Sequence, residues 1–481
     1  MPRPIERSIL FLGVLTSFLS AFMASALNLA LPSIGEEFQV SAAVLTWIVT
    51  GYILATAVFI LPFGRWGDIR GLKPVFVWGT AVYSLASFLC AIAGNFWFLM
   101  VGRIVQGVGA SMIFASGTAL ISWAFLPGKR GEALGINTAA VYFGLSLGPV
   151  LGGFLTQLGW RTIFFSVAVI GSIAFVFELL WLKGPMFEPL KGESFDSLGS
   201  LFYAISIFLL VMGLSNAVNW RYLFLALGGL ILLVLFFFKE SRTKFPLLDV
   251  KLLSKNIVFA FSNLAALINY AATNSTTVLL SLYLQVVKGF SPQVSGLILV
   301  SQPLIQALFS LISGKLSDRT EPRLIASLGM GFSGLSLLIF SFVDKDAPLW
   351  LLVLNLSLMG LGFGLFATPN TNAIMNSVNK EKYGIASSML GTSRLLGQSF
   401  SLMTITFIFS LFMGTAQISE NPGAFISSFR TAYAFFAGLS VIGVFASLAR
   451  GSVHTPNGPS CPLSCEPDCS QNKSKDQGVQ N

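Results

Sequence analysis

The sequence predicts an all-α integral membrane protein of fourteen transmembrane helices in a 6+2+6 arrangement, with both termini cytoplasmic. Three observations carry that prediction: the scarcity of charge, the number of long apolar runs, and the side on which the basic residues fall. Of 481 residues, 54% are hydrophobic and only 10% are charged, and the mean hydropathy is +0.78. Soluble domains carry roughly 25% charged residues, so most of this surface must face lipid. The net charge of +9 includes no basic cluster long enough to track phosphates, which argues against a nucleic-acid partner.

A run that spans a hydrocarbon core of about 30 Å needs roughly 20 apolar residues. Fourteen runs meet that length, near 8–31, 45–63, 75–93, 97–123, 133–157, 160–182, 197–216, 221–238, 257–286, 293–313, 324–342, 350–374, 384–413 and 431–449. Arg3 and Arg7 precede the first run and no A-x-A-like cleavage site follows it, so it reads as a retained helix. The tight joints at Gly94-Asn95 and Gly159-Trp160 make helix hairpins. With the N-terminus placed in the cytoplasm, 22 of the 29 lysines and arginines fall on cytoplasmic segments. Only Arg161, Arg221, Lys288, Lys345 and Arg430 are external, and Arg103 and Arg394 lie within spans. That bias is the positive-inside rule with an even number of crossings.

The segment GRWGDIRGLKP, Gly64 to Pro74, returns in shortened form as GKLSDRTEPR, Gly314 to Arg323. Each copy reads as a short charged loop, with Asp68 or Asp318 four residues after a glycine. The copies follow spans 2 and 10, so eight spans separate them where a plain duplication of six would leave six. The surplus pair is spans 7 and 8, entered through Asp196 and left through 239–256. The expected units are a six-helix bundle over 8–182, two extra helices with linkers over 183–256, a second bundle over 257–449 and a disordered tail over 450–481. Gly107 and Gly109 in span 4 are echoed by Gly360, Gly362 and Gly364 in span 12. Duplicated helix bundles are a signature of secondary transporters, in which two halves rock about a midplane site.

These residues resemble the major facilitator superfamily, and within it the 14-helix branch of drug:proton antiporters. The loop after span 2 is similar to the superfamily motif at Gly64, Asp68, Arg70, Gly71 and Lys73, and Asp318 and Arg319 hold the corresponding places in the second copy. Span 4 resembles the family's Arg-x-x-Gln-Gly pattern at Arg103, Gln106 and Gly107. Span 5 is similar to the antiporter motif at Gly144, Gly148, Pro149, Gly152 and Gly153. NLALP, Asn28 to Pro32, closes span 1 as in that branch, and SRLLGQ places Arg394 and Gly397 in span 13. The resemblance covers about 8–449 and implies export or exchange of a small organic substrate across the plasma membrane by a monomer, with a proton as coupling ion. It implies no cofactor, and the residues show no metal-ligand pairing of the Cys-x-x-Cys kind.

Each motif also has a physical reading. Gly64 and Gly71 permit a tight reversal, and Asp68 is placed to accept backbone N–H groups at a helix start. Arg65, Arg70 and Lys73 can pair with it or with a facing helix C-terminus, which makes the loop a gate latch or only a set of positive-inside anchors. Pro149 removes one hydrogen bond from span 5, and its glycines flatten one face for packing. Ionisable residues inside a membrane are costly and mark function. Arg103, Glu178 and Arg394 are three. Arg103 is expected to hold Gln106 and nearby carbonyls. Arg394 lies about 15 Å along its span. Glu178, five residues before Lys183, is expected to reach toward the inner interface. The branch usually has an acid five positions before Asn28; here that position is Met23, which puts proton coupling in question.

Polar residues inside spans are cavity candidates or interhelix ties: Asn28, Gln106, Asn137, Asn263, Tyr270, Asn274, Gln302, Gln306, Asn355 and Gln398. Amides facing lipid are unfavourable, so they point inward. Such a cavity suits an amphipathic organic molecule. The tail carries Cys461, Cys465 and Cys469 beside His454 and reads as unstructured and reduced. No nucleotide-binding loop of the P-loop type occurs, so an enzyme or primary pump is not expected. An exporter, an importer or facilitator on the same fold, and a non-transporting receptor are the functions left.

Overall fold

The computed structural model describes residues 4–183, 190, 192–215, 220–413 and 422–451. Every regular element among them is helical. The N-terminal half holds α1 (Pro4–Phe38), α2 (Ala42–Arg70), α3 (Leu72–Ala91), α4 (Phe96–Ala124), α5 (Arg130–Gln157) and α6 (Arg161–Trp181). A hairpin of α7 (Ser197–Ser215) and α8 (Trp220–Glu240) follows, then a short linker helix α9 (Val250–Ser254). The C-terminal half holds α10 (Ile257–Thr273), α11 (Thr276–Leu282), α12 (Pro292–Leu299), α13 (Ser301–Ser317), α14 (Pro322–Phe340), α15 (Leu349–Asn376), α16 (Tyr383–Met413) and α17 (Pro422–Ala449). These form fourteen segments long and apolar enough to cross a membrane, with α10–α11 and α12–α13 each making one broken segment. The tail cysteines and His454 lie outside the described residues.

Two segments expected as single helices are interrupted. The ninth breaks at Asn274–Ser275, where the Ser275 N–H is taken by Ser401 Oγ of α16 at 3.1 Å. The tenth breaks at Val300, three residues before Pro303, whose missing N–H cannot bond the carbonyl of Leu299. Side chains from a neighbouring helix satisfy such freed groups in a membrane. The expected charged loops are largely helix instead. Helix α2 runs through Arg70 and stops only at Gly71, whose φ of 106° favours glycine and whose N–H bonds Gly67 O at 2.8 Å. Asp68 therefore occupies the last turn of a helix. Likewise α13 runs to Ser317, Asp318 caps it, and Pro322 opens α14. Helix α1 also outruns its expected end and carries Glu36 and Glu37 near its far end, where Arg161 pairs with Glu37 at 2.7 Å.

In the first bundle α1 packs on α5, α2 on α4, and α3 on α4 and α6. In the second, α13 packs on α15, α14 on α15 and α17, and α10 on α16 and α17. The bundles meet through α5 against α13 and through α2 and α4 against α16. The extra hairpin α7–α8 lies beside the α2–α16 seam. There Tyr203 of α7 donates or shares hydrogen bonds with both sides, to Ala57 O of α2 at 3.0 Å and with Thr392 Oγ1 of α16 at 2.9 Å. Lys239 pairs with Asp196 and closes the hairpin at its base.

Candidate functional site

The two repeated segments make the same contact in opposite directions. Asp68, at the end of α2, is fully buried and accepts the N–H groups of Gly384 (2.7 Å) and Ile385 (2.9 Å) at the start of α16. Asp318, at the end of α13, accepts those of Gly131 (2.8 Å) and Glu132 (3.0 Å) at the start of α5. Each bundle thus supplies a carboxylate to a helix N-terminus of the other, where unpaired N–H groups and the helix dipole favour negative charge. The glycine four residues before each aspartate makes this approach possible. A Cβ on Gly64 would lie 2.6 Å from Gly384 O, and one on Gly314 would lie 2.5 Å from Gly131 O. We call this end of the molecule the latch end.

The basic residues of the segment do not pair with Asp68 as the sequence allowed. Arg65 pairs with Glu193, and Arg70 and Arg319 are exposed. Gly71 ends the helix, and Lys73 lies in the first turn of α3. Arg130, Asn376, Tyr383 and Ser387, with no motif to flag them, complete the closure. Arg130 is buried, donates to Ser122 O at 3.0 Å and to Asn376 of the other bundle, and lies over the Tyr383 ring at 5.2 Å. Ser387 donates to Phe114 O across the seam at 2.8 Å. The available signal was faint: KRGEALG and EKYGIAS both place glycine as the second residue of a helix after a basic turn.

Inter-bundle contacts climb from the latch end and stop at an aromatic layer. Along α16 they run through Gly384, Ser387 and Gly391, where a Cβ would lie 2.3 Å from Ile60 of α2; three residues on, the Arg394 guanidinium lies 5.4 Å over the Tyr270 ring of its own bundle. Along α5 they run through Gly131 and Gly135 to Tyr142, which meets Phe363 of α15 edge-on at 5.9 Å. Tyr270 and Phe363 are 5.2 Å apart at 71°. Beyond this layer α5 turns to α1 instead. Cβ atoms on Gly144 and Gly152 would come within 2.7 Å of Phe18 O and 2.6 Å of the Ala26 Cβ, and one on Gly148 within 2.5 Å of Ser25 Oγ. Gly153 has only Leu29 nearby, at 3.7 Å. Pro149 cannot bond the Leu145 carbonyl, and Ser25 Oγ donates to that carbonyl at 3.0 Å. The motif of span 5 is thus a close α1–α5 crossing within one bundle, with its lost hydrogen bond restored.

The three intramembrane charges occupy different environments. Arg103 is 1% exposed, donates to Ile48 O at 3.0 Å and to Gln106, and covers the Tyr52 ring at 4.3 Å. Glu178 does not reach toward the interface and Lys183. It is fully buried between α6 and α3, where Thr80 donates to it at 2.9 Å. Arg394 is half-buried at the aromatic layer.

The polar candidates divide by burial. Gln106 is held between Arg103 and Ser87 and Asn355 donates to Ser336 O, so these are ties within a bundle, while Asn263 donates to Phe259 O within its own helix. Asn137 and Gln306 are also buried, on the latch side of Tyr142 and beside Gly364 respectively. Tyr270, Asn274, Gln302 and Gln398 are half-buried and Asn28 is exposed. Asn274 and Gln398 stand one helical turn beyond Tyr270 and Arg394 on the side away from the latch. Met23 is 1% exposed within the α1 core.

A profile of the Major Facilitator Superfamily matches residues 13–210 and 263–460, on either side of the extra hairpin's second helix. The chain belongs to the major facilitator superfamily. It is 32% identical over 437 residues to the riboflavin transporter RibZ of Clostridioides difficile, covering 90% of this chain and 94% of that protein. It is 30% identical over 403 residues to the multidrug resistance protein Stp of Mycobacterium tuberculosis, covering 82% and 73%. The human organic anion transporter MFSD10 superposes with a TM-score of 0.70 at 13% identity, over 93% of this chain and all of that one, a likeness of fold. The chain is therefore a transporter-family membrane protein and not an enzyme.

Proposed function

We propose that the chain is a secondary active transporter of the plasma membrane that exports amphipathic organic molecules, drugs or lipophilic metabolites, by alternating access. The observation that carries this reading is the pair of crossed caps at Asp68 and Asp318. A closure built from buried, breakable hydrogen bonds between two bundles is what a gate requires, and the inter-bundle contacts end at a layer where half-buried polar side chains begin. The latch end is taken as cytoplasmic from the basic bias of its segments, so the closed end faces the cell interior. The names of the relatives, a riboflavin transporter and a multidrug resistance protein, support an organic cargo.

One observation favours a second reading, a facilitator without proton coupling. Met23 stands where the resembled branch carries an acid, and no carboxylate among the described residues bonds to a group of the aromatic layer. Inside-out vesicles from cells making the full chain separate the two. Accumulation of lipophilic compounds that collapses when a protonophore removes the pH gradient supports coupled export. Downhill flux indifferent to the gradient supports the facilitator. Saturable binding with no flux in either case would overturn both.

A further inference from the structure

The aromatic layer holds one cation and nothing to neutralise it. Arg394 is half-buried, and among the described residues no carboxylate pairs with it. Its neighbours are the Tyr270 ring at 5.4 Å and the phenols of Tyr142 and Tyr52. The other charges of the membrane interior are accounted for elsewhere. Arg103 is buried against neutral oxygens, Asp68 is occupied by the start of α16, and Glu178 lies between α3 and α6. A guanidinium stripped of much of its water and faced only by π systems is under-compensated, because a cation–π contact is worth far less than the lost hydration.

The surroundings of that charge are shaped for an aromatic group. Tyr270 and Tyr142 each meet Phe363 edge-on, at 71° and 85°; Tyr142 and Phe363 are buried, so the half-buried Tyr270 is the ring left accessible beside the guanidinium. Amides at Gln398 and Asn274 stand one turn further out, with neutral hydrogen-bonding capacity and no charge. We propose that this layer is the floor of a binding site for a planar aromatic anion, a carboxylate or sulfonate, held in bidentate fashion by Arg394 with its ring against Tyr270. The planar fork of arginine matches a carboxylate in this way, and such charge-assisted pairs are roughly twice as strong as neutral ones. That the anion is cargo rests on the transporter reading above; that it binds does not.

The test uses the full chain in nanodiscs of zwitterionic lipid and three probes of one shape: 2-naphthoate, its neutral amide 2-naphthamide, and the cation 2-naphthylmethylammonium. Wild type should bind the anion at least about tenfold more tightly than the amide, and the cation most weakly. Arg394→Gln should erase the difference between anion and amide. Arg394→Lys, which keeps the charge and serves where the Gln variant does not fold, should weaken the anion about tenfold and leave the amide unchanged. No saturable anion binding by wild type, cation binding as tight as anion binding, or an anion preference that survives Arg394→Gln would overturn the proposal. Anion-selective binding without flux in liposomes would sink the transporter reading and leave the site standing. Flux of other compounds with no anion preference would do the reverse.

Discussion

Replacing Asp68 by Asn tests the latch where its energy is concentrated. The carboxylate is fully buried and accepts two backbone N–H groups, from Gly384 and Ile385. A hydrogen bond to a charged group contributes about 1.5–3 kcal/mol net. The Asn amide keeps one acceptor oxygen, now neutral, and turns its NH2 against the second N–H. The closed state should lose about 3 kcal/mol, which is about 100-fold in the equilibrium between closed and open. A closed state populated 99 to 1 would become an even mixture. Spin labels at Lys129 and Lys380, both exposed at the latch end on opposite bundles, report that shift by pulsed electron resonance. The expected result is a second, longer distance of comparable weight. An unchanged distance distribution would show that Asp68 does not hold the bundles together and would refute the reasoning.

Other outcomes follow from the same geometry. Gly384→Val places its Cβ 2.6 Å from Asp68 Oδ1, so the labelled pair should open as far as in Asp68→Asn while protein yield holds. Ser25→Ala leaves the Leu145 carbonyl beside Pro149 unpaired and should cost about 1–3 kcal/mol, read as a fall in thermal midpoint; no fall would mean another group satisfies that carbonyl. Glu178→Gln preserves the shape and the Thr80 hydrogen bond and lies away from the aromatic layer, so downhill flux should be unchanged; its loss would place Glu178 in the transport path. Asp249, in the linker outside the spans, is raised by burial but lowered further by Lys382, so its pKa lies below the usual 3.8. The pair's contribution to stability is therefore complete above pH 4 and is lost as pH falls through the depressed pKa, and Asp249→Asn should flatten the acid limb of a pH–stability profile.

The fourteen spans were legible because lipid imposes length and apolarity on each segment separately. The repeat at Gly64–Asp68 and Gly314–Asp318 was legible because both copies must solve the same contact. What each contact touches was not. Gly384 and Gly131 lie over 180 residues from their carboxylates, and a glycine at a helix start looks like any other until the opposing backbone arrives. The breaks at Asn274 and Val300 were hidden for a similar reason, since Ser401 satisfies the first from another helix. The place of Glu178 was not legible from its distance along its own helix to Lys183, because the deciding partner is Thr80 on α3. Among the amides, pattern alone could not separate Gln106 and Asn355, bonded inside a bundle, from Gln398 and Asn274 near the floor.

The central claim is that one gated pathway runs between the two bundles, and counterflow in liposomes tests it most directly. Vesicles holding wild type and preloaded with 2-naphthoate should take up labelled 2-naphthoate saturably, well above protein-free vesicles. Asp68→Asn combined with Asp318→Asn, at matched protein, should lose that exchange because the closed end no longer seals between cycles. Full exchange by the double variant would contradict the account; uptake by wild type no greater than in protein-free vesicles would remove 2-naphthoate as cargo.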